Sequence, residues 1–153
     1  MKISLGCDHG GFRLKEEIKK ALMNENIEVI DCGCFSEERV DYPVFAKKVC
    51  ENVQKKECDY GVLVCTTGIG MSIVANKYKG IRAALVTNIE SAHLTRQHND
   101  SNIICLSQKF TETKDAIEYV LTFISEKFIY GRHENRIKMI EEVEENERKT
   151  NSI

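Results

Sequence analysis

The sequence predicts an α/β domain, doubly wound in three layers, with a five-stranded parallel sheet at its centre. Two observations carry this. Five short runs (ISLGC, IEVIDC, YGVLVC, IRAALV and NIICL) are almost uninterrupted in apolar residues, and amphipathic segments with helical spacing lie between them. Parallel neighbours need crossover connections, and the crossovers cover both faces of the sheet. Such strands therefore read as continuous apolar runs rather than as an alternation.

The elements come in order along the chain. After ISLGC, residues 12–24 place Phe12, Leu14, Ile18, Ala21 and Leu22 on one helical face. After IEVIDC, the sole proline, in DYP at 41–43, marks a turn before a second helix at 44–55 carrying Phe45, Val49 and Val53. YGVLVC leads to a helix at 69–78, IRAALV to one at 90–98, and NIICL to one at 112–128. In the last of these, Ile117, Val120, Leu121, Ile124 and Phe128 form a continuous stripe. Beyond Gly131, RIKMIEEVEENERK has only Ile137, Ile140 and Val143 on one side, a stripe too thin for a core. It is expected to pack on a partner subunit, as a helix used in dimerisation. The chain thus reads as one domain over 1–153: a core over about 1–130, a C-terminal helix over 131–148 and a frayed tail over 149–153.

The 153 residues suffice for a single core, and 42% of them are hydrophobic. A net charge of −2, from 22 basic and 24 acidic residues, offers no broad surface for nucleic acid or an anionic membrane, so a small-molecule partner is expected. No apolar run approaches the roughly 20 residues that span a bilayer. The start, MKISLGCDHGG, turns polar too early for a secretory leader. A cytoplasmic protein is expected, with its seven cysteines reduced. Cys32 and Cys34 lack further ligands at zinc spacing and read as packing residues.

In doubly wound sheets, ligands collect at the carboxyl ends of strands. The segment VLVCTTGIGMSIVANK (62–77) puts Cys65 at such an end, beside a glycine-bearing turn whose amides would face an anion. It lacks the lysine and spacing of a nucleotide P-loop. A thiol near a helix N-terminus ionises more readily than a free one, so Cys65 could attack or take a proton. Attack on phosphate in a Cys-x5-Arg loop is excluded, because Met71 stands where the arginine belongs. Acyl transfer by Cys and His, and proton abstraction beside a carbonyl, both stay open. Read alone, Cys65 is a small hydrophobe ending a strand.

Asp8 and His9 come directly after the first strand, and they approach Cys65 if the first and third strands are neighbours. His98 and Asn99, in RQHND, close the fourth helix, where a histidine can simply oppose the dipole. His93 has no chemical context and reads as surface or packing. In GRHENR, Arg132 and Arg136 are four apart on one helical face and suit a phosphate dianion, while His133 points elsewhere and is not a ligand.

With these residues in place the chain resembles the ribose-5-phosphate isomerase B family, which also contains galactose-6-phosphate isomerase subunits. GCDHGGFRLK, VIDCG, DYP, CTTGIG, ANK, GIRAAL, RQHND-x-N and GRH-x-x-R occur in family order over nearly the whole chain. The resemblance implies interconversion of ribose 5-phosphate and ribulose 5-phosphate without metal or organic cofactor. It implies Cys65 as base, Thr67 as proton shuttle and His98 as the group that opens the sugar ring. It implies turn amides from Thr66 through Gly68, Ile69 and Gly70 holding an enediolate, with Asp8, Tyr42 and Asn99 on hydroxyls. His9, Arg132 and Arg136 would receive the phosphate. It also implies a site shared between subunits, in a homodimer or a tetramer.

The chain departs from the family pattern at three places. Thr66 stands where the family turn has glycine, which would retune rate or sugar preference. Ser107, Gln108 and Lys109 replace Gly-x-Arg, and Lys109 keeps the charge but loses the bidentate fork, weakening phosphate affinity. The acidic tail beyond Glu144 has no counterpart. The competing functions are an isomerase of a galactose- or allose-type hexose 6-phosphate, a Cys-His hydrolase and a non-catalytic phosphosugar-binding module. The galactose-6-phosphate subunits lack the GRH-x-x-R segment.

Overall fold

The computed structural model describes residues 1–151. In chain order these form β1 (Lys2–Cys7), α1 (Phe12–Asn24), β2 (Glu28–Asp31), α2 (Tyr42–Gln54), β3 (Tyr60–Cys65), α3 (Ile69–Ala75), β4 (Ala83–Leu85), α4 (Ile89–Asn99), β5 (Ile103–Ser107), α5 (Thr113–Ser125) and α6 (Arg132–Thr150). A single 3-10 turn, His9–Gly11, precedes α1. The strands are all parallel, in the order β2-β1-β3-β5-β4.

Both faces of the sheet are buried. Ile3, Leu5, Val62, Val64, Ile104 and Leu106 face α1 and α5, meeting Leu14, Ile18, Val120 and Phe123. The alternate residues Leu63, Cys65, Ile103 and Cys105 face α2 and α3, meeting Val49, Val53, Met71 and Ala75. Each such aliphatic or aromatic side chain contributes about 1.5–3 kcal/mol on burial, which is why the layers, not helix propensity, hold the fold. All seven cysteines are free.

Several boundaries differ from those expected. Pro43 lies inside the first turn of α2, not before it; an amide there has no helical partner to lose, so proline fits. α3 stops at Ala75 because Asn76 turns its side-chain amide onto the backbone of Ala83, bonding both its N–H and its carbonyl at 2.8 and 2.9 Å. α5 stops at Ser125 because Glu126 turns to meet His93 and Gln97. His93 is therefore a hydrogen-bond partner of Glu126 rather than a residue without context. α6 buries His133 and Ile137 and leaves Ile140 and Val143 exposed. Of the tail expected to fray, Lys149 and Thr150 are helical, and positions 152 and 153 lie outside the described residues.

The direction of winding reverses between β1 and β3, the place where a doubly wound sheet opens a crevice at its carboxyl edge. Cys7 pairs with Val64 there, and the Asp8 amide donates to the Val64 carbonyl.

Candidate active site

At that edge β3 ends on Cys65, and the chain reverses through Gly68, whose φ of +76° is a conformation that a side chain disfavours. The reversal aims the Gly68 amide at the Cys65 sulfur, 3.1 Å away. Cys65 is 5% exposed. Thr67 accepts the Ile69 amide on its hydroxyl oxygen at 3.2 Å, leaving its own proton to donate elsewhere. The Tyr42 ring lies flat against Gly70, so close that a Cβ there would sit 2.7 Å from its Cζ.

Asp8, from the end of β1, is buried, and its Oδ1 has no hydrogen-bond partner among the described residues. Burial pushes its carboxyl up, against the pull of His9 and the amides of Gly10 and Gly11. His9 holds Nδ1 3.2 Å from both the amide and the carbonyl of Val40, so either tautomer is satisfied there and Nε2 is left for other partners.

The segment after β5 braces the turn from the other side. Gln108 and Lys109 donate amides to the carbonyls of Cys65 and Thr66 at 3.0 and 3.1 Å, and the Ser107 hydroxyl donates to Thr66 at 2.7 Å. Gln108 also accepts the Leu14 amide in the first turn of α1. A cavity of about 820 Å³ opens beside them, lined by Gly10, Thr66, Gln108 and Lys109. The Thr66 side chain fills the notch left by Gly10.

His98 and Asn99 lie elsewhere. α4 runs antiparallel to the strands, so its last turn reaches the amino edge of the sheet. Arg96 bonds the hydroxyl of Tyr60, the first residue of β3, at 2.9 Å, and the Asn99 carbonyl accepts from Arg82, just before β4. A six-residue strand separates this edge from Cys65, about 17 Å at ~3.3 Å per residue. The start of α6 adds exposed Arg132 and Arg136 to the same edge, through His133. One copy of the chain therefore holds the expected site residues in two groups at opposite edges of the sheet. Asp8, His9, Tyr42, Cys65–Gly70 and Lys109 sit at the carboxyl edge; His98, Asn99, Arg132 and Arg136 sit at the amino edge.

His133 does point away from the arginines, but onto His98: the rings are parallel within 9°, with centroids 4.2 Å apart. It is 6% exposed, and burial first, then His98, Arg132 and Arg136, push its pKa down. The signal is present in the sequence, because His133 and the buried Ile137 are four apart and share the inward stripe.

The family model described as Ribose/Galactose Isomerase matches residues 3–140, spanning both groups of residues. The chain belongs to the ribose/galactose isomerase family. Among members of the ribose/galactose isomerase family, ribose-5-phosphate isomerase B of Escherichia coli (strain K12) is 42% identical over 144 residues, covering 94% of this chain and 97% of that one. The structure of Clostridium thermocellum ribose-5-phosphate isomerase B superposes with a TM-score of 0.94 at 46% identity, covering 95% and 99% of the two chains. That of Mycoplasma genitalium ribose-5-phosphate isomerase B with bound ribulose-5-phosphate superposes with a TM-score of 0.90 at 38% identity, covering 94% and 96%. Among the described residues no group of three His, Cys, Asp or Glu is placed to hold a metal ion, and no helix is long and apolar enough to cross a membrane.

Proposed function

We propose that the chain is an aldose-ketose isomerase of the cytoplasm, interconverting ribose 5-phosphate and ribulose 5-phosphate at a site assembled from two copies. The observation that carries this is the Cys65 thiol receiving the Gly68 amide at 3.1 Å, at the sheet edge where ligands gather. Its support from relatives is the ribulose-5-phosphate bound to the Mycoplasma genitalium protein.

In this scheme the partner's His98 opens the furanose ring. The Cys65 thiolate takes the proton from carbon 2 of the open aldose, and the electron pair moves to oxygen 1, giving an enediolate held by the amides of Thr66 to Gly70. Thr67 passes the proton of oxygen 2 to oxygen 1, and the thiol returns its proton to carbon 1. Asp8, Tyr42 and the partner's Asn99 hold hydroxyls. His9 and Lys109, with the partner's Arg132 and Arg136, grip the phosphate, so remote binding positions the reacting carbons. Ile69 and Ile73 are 50% and 59% exposed on α3 beside Cys65, apolar surface that a second copy would cover.

The test is incubation with ribose 5-phosphate in heavy water, beside parallel incubations with galactose 6-phosphate and allose 6-phosphate. Ketose formation from the pentose, with deuterium entering at the former aldehyde carbon, is the expected result. Faster turnover of a hexose phosphate would move the substrate assignment, and tight binding without turnover of any sugar would overturn the isomerase.

A further inference from the structure

We propose that His133 is a positioning residue for sugar-ring opening, fixing the plane of the His98 imidazole by stacking against it. This rests on the proposal that His98 opens the ring. His98 is the penultimate residue of α4, with Asp100 just beyond the helix in a left-handed conformation, so it occupies a helix end. No hydrogen bond to a described residue orients its ring. The parallel face of His133, centroid to centroid at 4.2 Å, is what limits its rotation.

Ring opening needs a ring nitrogen aimed at the sugar oxygen, and both nitrogens move when the imidazole turns about its bond to Cβ. A flat neighbour blocks that motion. His133 is itself held: it is 6% exposed, on the same face of α6 as the buried Ile137. Its Nε2 is buried with no hydrogen-bond partner among the described residues, so a bond from that atom does not explain its place, whereas its ring face meets His98. Burial first, then the charges of His98, Arg132 and Arg136, disfavour a proton on His133, which favours an uncharged ring beside His98. The helix that presents Arg132 and Arg136 thereby also sets the ring-opening group.

Interconversion of the two furanose anomers of ribose 5-phosphate passes through the open chain, and exchange spectroscopy measures its rate directly. In a Cys65→Ser background, which blocks isomerisation, the protein should accelerate anomer exchange, and adding His98→Ala should remove the acceleration. Adding His133→Ala should slow exchange at least about ten-fold, with the calorimetric Kd for ribose 5-phosphate within about two-fold. His133→Phe, which keeps a flat ring, should restore exchange to within about two-fold of the parent. Unchanged exchange in His133→Ala, a parallel loss of binding, or no rescue by phenylalanine would overturn the positioning role alone. Exchange that is not accelerated by the parent, or that survives His98→Ala, would overturn the ring-opening proposal beneath it.

Discussion

The Gly68 amide points at the Cys65 sulfur from 3.1 Å, across the turn that joins β3 to α3. The donor is a backbone amide and the acceptor a side-chain atom, so a serine oxygen at the same place can still receive it. Cys65→Ser nearly keeps the size of the group but replaces a thiol with a hydroxyl, a far weaker acid and a poorer base for this step. Its kcat should fall about 10²–10⁴-fold while KM changes little, because the residues proposed to grip the phosphate are not the sulfur. Steady-state kinetics with ribose 5-phosphate reads this. Unchanged kcat would remove the thiol from the reaction.

Gly10 and Thr66 interlock: a Cβ on Gly10 would lie 2.0 Å from the Thr66 hydroxyl oxygen. Gly10→Ala should destabilise the protein by about 1–3 kcal/mol in urea unfolding, as overpacking does. Thr66→Gly in the same chain should recover at least about 0.5 kcal/mol of that loss, since the two residues share one contact. Additive losses would mean that they do not meet.

Lys15 is buried with its ammonium 2.9 and 3.0 Å from the two carboxylate oxygens of Asp31 and 2.8 Å from the Cys34 carbonyl. Burial would raise the Asp31 pKa, but the Gly33 amide, Lys15 and Lys19 hold it below the usual carboxylate range. Lys15→Met leaves that largely buried carboxylate with the Gly33 amide and the more exposed Lys19, and should cost about 3–5 kcal/mol. For a chain of this size the melting temperature should drop by about 10 °C. A drop of only a degree or two would show the pair to be ornamental.

Much of this is legible in the sequence. Five apolar runs mark five strands because both sheet faces are covered, and Cys65, Asp8 and His9 come at the ends of their strands into one crevice because β1 and β3 are neighbours. Long-range partners are not legible. Nothing local tells that Asn76 reaches Ala83 and so ends α3, or that Glu126 reaches His93 and so ends α5. The separation of His98 from Cys65 comes from strand direction. RQHND enters β5 at its amino end, whereas Cys65 closes β3 at its carboxyl end, and in a parallel sheet those two ends lie at opposite edges. His133 escapes a reading that weighs its chain neighbours rather than its own face of the helix.

His133 should also leave a mark on stability. An unfolded histidine takes a proton near pH ~6.5, and the folded chain resists, because burial and nearby cations lower the pKa of His133. Its contribution is thus complete above about pH 6.5 and is lost as the pH falls through that value towards the lowered one. His133→Phe has no proton to take. The melting temperature of this variant relative to the parent should rise steadily between about pH 7.5 and 5.5. A difference independent of pH would contradict a neutral His133 in the fold.

The most direct measurement mixes two inactive chains. Cys65→Ser spoils the carboxyl-edge half-site and His98→Ala the amino-edge one, so a dimer containing one of each has one site built wholly from intact halves. With random pairing, half the dimers are mixed and each has one good site of two. The co-expressed, purified mixture should therefore regain about a quarter of the parent's activity on ribose 5-phosphate. Activity no greater than that of the two variants assayed separately would contradict a site shared between copies.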